Sequence, residues 1–207
     1  MGGARRRARR GRPRHRRLQG DRLTARLARA VRIEPGELGA ALWSAAYFFC
    51  LLCSYYVLRP VREEMGIAGG VERLPWLFTG TFVAMAAAVP VFGALAARYP
   101  RRTLLPVVYA FFIACIAGFF LVLAGGAPPA WAPGAFFVWL SVFNLFVVSV
   151  FWSFMADVWR EEQARRLFGV IAAGGSAGAI AGPALTAALA ARVGPVNLLP
   201  IAAAILA

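Results

Sequence analysis

The chain has no lysine, one histidine, three cysteines and nine acidic residues among 207. The missing lysine leaves arginine as the only strong base, a bias that reflects a GC-rich coding sequence more than a function. The one histidine, His15, sits in an arginine-rich tail. No hydrolase or metal constellation can be assembled around it, so neither a metal nor a cofactor is expected. A phosphate-cradling loop of the Walker type is also missing, which excludes an ATPase motor. An enzyme is therefore not expected. Cys50, Cys53 and Cys115 all fall inside apolar runs. The Cys50-x-x-Cys53 pair is embedded in a helix-like run and reads as packing, because buried thiols behave as small hydrophobes.

What the chain has in abundance is apolar residues, 60% of the total, with a mean hydropathy of +0.65. They come in blocks long enough to cross a bilayer, for which ~20 residues suffice. Membrane spans are expected at about 38–58, 74–96, 104–124, 135–154 and 167–190. A sixth begins near Val196 and is incomplete at Ala207. Its apolar residues supply only ~20 Å of helix against a hydrocarbon core of ~30 Å. A chain ending there would leave unpaired carbonyls at membrane depth, so further membrane protein is expected beyond it. The fold class is all-α, a polytopic membrane helix bundle.

The formal charge of +14 is concentrated at the start of the chain. Residues 1–21 form a basic tail of low complexity, expected to be disordered. It suits contact with an anionic leaflet, or an upstream start that extends the true protein; nucleic-acid binding would rest on this tail alone and is not expected. Residues 22–33 place Leu23, Leu27, Ala30 and Val31 on one helical face, with arginines off it, as an amphipathic helix lying in the membrane interface does. Beyond the tail, Arg98, Arg101, Arg102, Arg160, Arg165 and Arg166 fall on one side of the spans. Only Arg59, Arg62, Arg73 and Arg192 fall on the other. The arginine-rich side is the cytoplasmic one by the positive-inside rule. That places the N-terminus in the cytoplasm of a multi-pass protein of the cell (inner) membrane.

The fifth span carries Gly174, Gly178 and Gly182 four residues apart, followed by Pro183. Such rows of small residues let helix backbones approach closely in lipid, and the proline removes a donor and can bend the helix. The spacing Gly169, Gly178, Gly182-Pro183 resembles the fifth-helix antiporter motif of the major facilitator superfamily, with Thr186-Ala187 where that motif has a further glycine pair. GALAARYPRR, with Gly93, Arg98, Arg101 and Arg102, is similar to the superfamily's loop signature between helices two and three. Ala97 stands in place of its acid and Pro100 in place of its second glycine. Plain positive-inside placement is the stronger explanation of these arginines.

Two further stretches resemble the ATP/ADP antiporter (nucleotide transporter) family. In CSYYVLRPVREEMG the matching positions are Tyr55 or Tyr56, Leu58-Arg59 and Arg62-Glu63. In VFWSFMADVWREEQARRLFG they are Phe151, Trp152 and Phe154, then Ala164, Arg165 and Arg166. The family's acid falls at Glu162 or is lost at Gln163. The resemblance spans about 34–207 and implies the N-terminal six-helix half of a twelve-helix exchanger, the C-terminal half being a missing partner. It implies a central cavity that opens alternately to each side.

An anionic substrate in such a cavity needs fixed cations, and arginine binds phosphate through paired donors. Arg59 and Arg62 are the candidates, with Pro60 between them freeing the carbonyl of Tyr56. The competing reading pairs both arginines with Glu63 and Glu64 in an outer loop. On the fourth span, Ser141, Asn144, Ser149 and Trp152 share about half of the helix circumference, and polar residues at that depth face protein or a cavity. Asn144 and Trp152 are candidate substrate contacts; interhelix hydrogen bonding would explain them as well. Asp157, Glu162, Arg165 and Arg166 are candidates for a gate salt bridge or a solvated linker. The expected partners are the lipid bilayer and a small anionic solute, possession of a nucleotide being the narrowest form. A non-transporting membrane scaffold or sensor is the alternative.

Overall fold

The computed structural model describes residues 34, 36–68 and 70–207. The basic tail and the amphipathic segment at 22–33 lie outside them. Among the described residues six α-helices follow one another: α1 Leu38–Ala68, α2 Leu74–Arg98, α3 Arg101–Ala124, α4 Ala132–Val158, α5 Glu161–Val193 and α6 Leu198–Leu206. There is no strand among the described residues. Five of these helices are long and apolar enough to cross a membrane; α6, at nine residues, is not.

The helices run up and down. Phe48 stacks on Phe151 and Tyr55 meets Phe143, so α1 and α4 are antiparallel. Phe112 meets Phe143 and Phe119 meets Phe136, so α3 and α4 are antiparallel too. Phe78 meets Phe137 and Phe92 meets Phe146, which makes α2 and α4 parallel. Helix α4 is the hub, with Phe136, Phe137, Leu140, Phe143 and Phe151 fully enclosed. In hydrocarbon these rings gain little from leaving solvent, because lipid is as apolar as they are. Their contribution is close packing and edge-to-face geometry.

Polar side chains tie the bundle by reaching carbonyls on neighbouring helices. The Ser54 hydroxyl donates to the Ala202 carbonyl at 2.8 Å, joining α1 to α6. The Tyr109 hydroxyl donates to the Val147 carbonyl at 3.3 Å, joining α3 to α4. Each hydroxyl is thereby satisfied where water cannot reach it.

Helix α1 continues ten residues past the end expected from hydropathy at Leu58, to Ala68. Pro60 lies inside it and does not break it. One backbone hydrogen bond is lost there, but the surrounding turns are held by α4 and α5. Gly66 shows how tight that hold is, since a Cβ there would come within 2.9 Å of the Phe137 ring.

Candidate functional site

The glycine row of α5 is the seam on which the site is built. A Cβ on Gly174 would strike the backbone of Ala45, and one on Gly178 the carbonyl of Phe49. At Gly182 it would come within 2.6 Å of the Tyr56 Cβ and 2.9 Å of the Cys53 carbonyl. Contacts therefore advance by about one turn on both helices together, so α1 and α5 are parallel and touch backbone to backbone. Gly175 belongs to the same seam, against Phe48 and Leu52; it lies off the four-residue period and the sequence pattern does not mark it. Gly169 has nothing within 4 Å of an added Cβ and takes no part. Thr186 occupies the position of the motif's missing glycine. Its hydroxyl donates to the Val57 and Gly182 carbonyls, both at 3.2 Å, so the larger residue adds an interhelix tie instead of a clash.

At one end of this seam, Tyr56, Arg59, Pro60 and Glu63 of α1 and Pro183 of α5 surround a pocket of about 450 Å3. The Arg59 guanidinium lies 5.5 Å from the centre of the Tyr56 ring. It has no ion-pair partner among the described residues. The neighbouring Tyr55 ring packs edge-on against Tyr56 at 5.0 Å.

Arg62 is placed differently. Its guanidinium sits 3.7 Å over the Phe137 ring, its Nε donates to the Phe137 carbonyl at 3.1 Å, and one terminal nitrogen donates to Glu63 at 2.8 Å. Its side chain is only 12% exposed. Arg59 and Arg62 thus do not converge. They are three residues apart, about 60° around the helix, and α4 intercepts one of them.

Along the same side of α1, Trp152 of α4 packs edge-on against Phe48 at 5.2 Å and meets Phe168 of α5 at 5.1 Å. These rings bridge α4, α1 and α5 towards the far end of the seam. Asn144 is half-buried with no hydrogen-bond partner among the described residues. Ser141 turns back to its own helix, donating to the Phe137 carbonyl at 3.4 Å.

At that far end a second polar group ties α1 to α5. The Gln163 amide donates to Glu37 Oε1 at 2.7 Å, and Arg166 donates to the same oxygen at 3.2 Å. The Glu34 backbone N–H donates to the other carboxylate oxygen at 3.2 Å, and the Arg166 guanidinium lies 3.6 Å from the Glu34 carboxylate. These contacts hold the Glu37 carboxyl below the usual glutamate range. The Gln163 amide does most, burial opposes it, and Glu34 and Arg166 add to the lowering. Glu37 was not singled out by sequence reasoning. The available signal was a pair of acids, Glu34 and Glu37, just before an apolar helix. Gln163 also accepts from the Arg160 backbone N–H at 3.1 Å, so its orientation is fixed from both sides. An acid at 163 would set two carboxylates against each other. Arg165 pairs with Glu161 at 2.7 Å with both side chains exposed, and Glu162, Asp157, Arg98 and Arg102 lie at the exposed surface of the same end.

The described residues contain no group of three or more acids, cysteines or histidines able to hold a metal. The Major Facilitator Superfamily model matches residues 4–183. The chain belongs to this superfamily. It is therefore a membrane-integral transporter of the secondary class. No curated protein and no solved structure matches it. The parallel, closely packed α1–α5 seam accords with that family.

Proposed function

We propose that this facilitator chain forms the substrate-binding half of a secondary exchanger for an organic anion, with nucleotides as the first class to test. The observation that carries the reading is Arg59. It is an arginine without an ion-pair partner, held over Tyr56 in a pocket that also contains two prolines, beside the closest helix seam in the bundle. Arg59 is exposed at this end of α1, so its guanidinium is open to an anionic solute. Arginine offers paired donors that match a carboxylate or phosphate. Arg62 supports the site from behind by fixing α1 to α4 and by holding Glu63 away from Arg59. Asn144, half-buried without a hydrogen-bond partner among the described residues, is the α4 residue left to meet a solute, whereas Trp152 is taken up by Phe48 and Phe168 at the other end.

The arginine asymmetry supports a cytoplasmic N-terminus. On that orientation the Arg59 pocket opens towards the outside, and the Phe48–Trp152–Phe168 rings with the Glu37–Gln163–Arg166 group close the cytoplasmic side. The reading requires a second helical bundle of the same transporter across the pocket; the exposed Phe78, Phe82 and Val83 on α2 suit lipid as well as such a bundle. The pocket would then be enclosed and alternately accessible.

The test is counterflow of labelled solutes in liposomes containing the full-length transporter, across a panel of carboxylates, phosphates and nucleotides. Arg59→Ala should lower uptake at least tenfold while membrane insertion is unchanged. Uptake of no anion in the panel would sink the substrate class. Uptake insensitive to Arg59→Ala would sink the role given to that residue.

A further inference from the structure

Helices α2 and α3 are neighbours in sequence but part from each other soon after their connecting turn, because each packs on α4. The gap between them is a cleft of about 710 Å3. Leu104, Val108 and Phe112 form its floor and are almost fully buried. Val91 on α2 and Val107 on α3 form its two rims and are more than half exposed. From Thr103 to Phe112 the cleft follows ten residues of α3, whose nine steps span ~14 Å at 1.5 Å per residue. That is the depth of one leaflet of a ~30 Å hydrocarbon core. Its volume lies within the ~300–1,000 Å3 typical of sites for small molecules.

Such a cleft cannot hold water, because its walls offer almost no polar partner. Left empty, it would forfeit the packing of every residue that lines it. A hydrocarbon chain entering from the side satisfies both conditions.

The polar features of the cleft are gathered at one end. Tyr99 and Thr103 line it there, beside the first turn of α3, whose capping residue is Pro100 and supplies no side-chain hydrogen bond. The Thr103 and Leu104 N–H groups donate to the Pro100 carbonyl; the first two N–H groups of the helix have no acceptor within it and favour an anion. Arg98 shares the α2 face of Val91 and Leu95, four and three residues apart. Arg102 stands on the first turn of α3. Both are exposed and neither has an ion-pair partner among the described residues. No acid occurs between Arg73 and Asp157; Asp157, near the end of α4, already has an interaction of its own, and two arginines against that one acid leave this end of the cleft positive.

We propose that the α2–α3–α4 cleft is a binding site for one anionic phospholipid, its acyl chain in the cleft and its phosphate headgroup against Arg98, Arg102 and the start of α3. The site is separate from the Arg59 pocket and does not depend on the substrate assigned to it.

Native mass spectrometry of the purified full chain tests this, with phosphatidylglycerol and phosphatidylcholine of identical acyl chains as probes. Phosphatidylglycerol should be retained preferentially. Val107→Trp and Val91→Trp fill the cleft from opposite rims at exposed positions, and each should reduce its retention about tenfold without lowering the thermal midpoint. Arg98→Ala and Arg102→Ala should each weaken phosphatidylglycerol about fivefold, the effect of one arginine near an anionic headgroup, and leave phosphatidylcholine unchanged. Equal retention of the two lipids by the unaltered chain overturns the proposal. So does retention undiminished in both tryptophan variants, or a headgroup preference unchanged in the double arginine variant.

Discussion

The Gln163 amide lies 2.7 Å from the Glu37 carboxylate and joins the first turn of α5 to the start of α1. The two residues are 126 positions apart in the chain. Together with the glycine seam they fix α1 and α5 as one rigid pair, with the Arg59 pocket at the opposite end.

The pH dependence of this joint has a definite sign. The folded state holds the Glu37 carboxyl below its ordinary value, so its contribution is complete above the unfolded glutamate pKa of about 4.3. It is lost as pH falls through the lowered folded value. Thermal midpoints of the detergent-solubilised chain should therefore fall between pH 6 and the acid range more steeply than those of Glu37→Gln. A parallel decline in both proteins would show that Glu37 does not carry the effect.

The glycines of α5 should divide sharply. Gly178→Ala drives a Cβ into the Phe49 carbonyl and should cost about 1–3 kcal/mol, the range for overpacking. Gly169→Ala meets nothing and should gain about 0.5–1 kcal/mol from helix propensity. Unfolding in mixed micelles measures both. Equal effects at the two positions would contradict the seam.

Arg62 should behave as a structural residue. Losing its hydrogen bonds to the Phe137 carbonyl and Glu63 should cost about 1.5–3 kcal/mol, as for a charged donor. Arg62→Lys should not restore stability, since an ammonium cannot stack on Phe137 and fork to two acceptors. Arg59→Ala should leave the thermal midpoint within about 0.5 kcal/mol of the parent, as for a surface site. Reversed stabilities of the two alanine variants would exchange their roles.

The buried hydroxyls should count for little individually. Ser54→Ala removes the tie to Ala202, and Thr186→Val removes the tie to Val57. Each should cost about 0.6 kcal/mol, the mean for interhelix hydrogen bonds in a membrane protein. Losses above about 2 kcal/mol would mean that the freed carbonyl finds no other partner.

Much of this bundle was legible in the chain. The apolar blocks announce helices that cross a membrane, and the glycine spacing announces a close helix contact. Two stretches misled by their local composition. Charges after Leu58 look like the end of a span, yet the helix runs on to Ala68 because α4 takes up Arg62 and α5 closes against the turns around Pro60. Gly169 fits the motif spacing, yet α1 does not pass close to it. Glu37 is unremarkable in sequence and Gln163 stands out only as a possible departure from the family's acid, since a hydrogen bond across 126 residues leaves no periodic signal.

By itself the sequence determined that the chain lives in a bilayer, that it is all helix, and that its charge is lopsided. These follow from segment length, apolarity and the need to satisfy every backbone group where there is no water. Only the tertiary structure decided which arginine is consumed and which has no ion-pair partner among the described residues, and which glycines touch a neighbour. Rotation of a helix about its own axis is set by the helices packed against it, and a turn of about 60° is all that separates Arg59 in its pocket from Arg62 against Phe137.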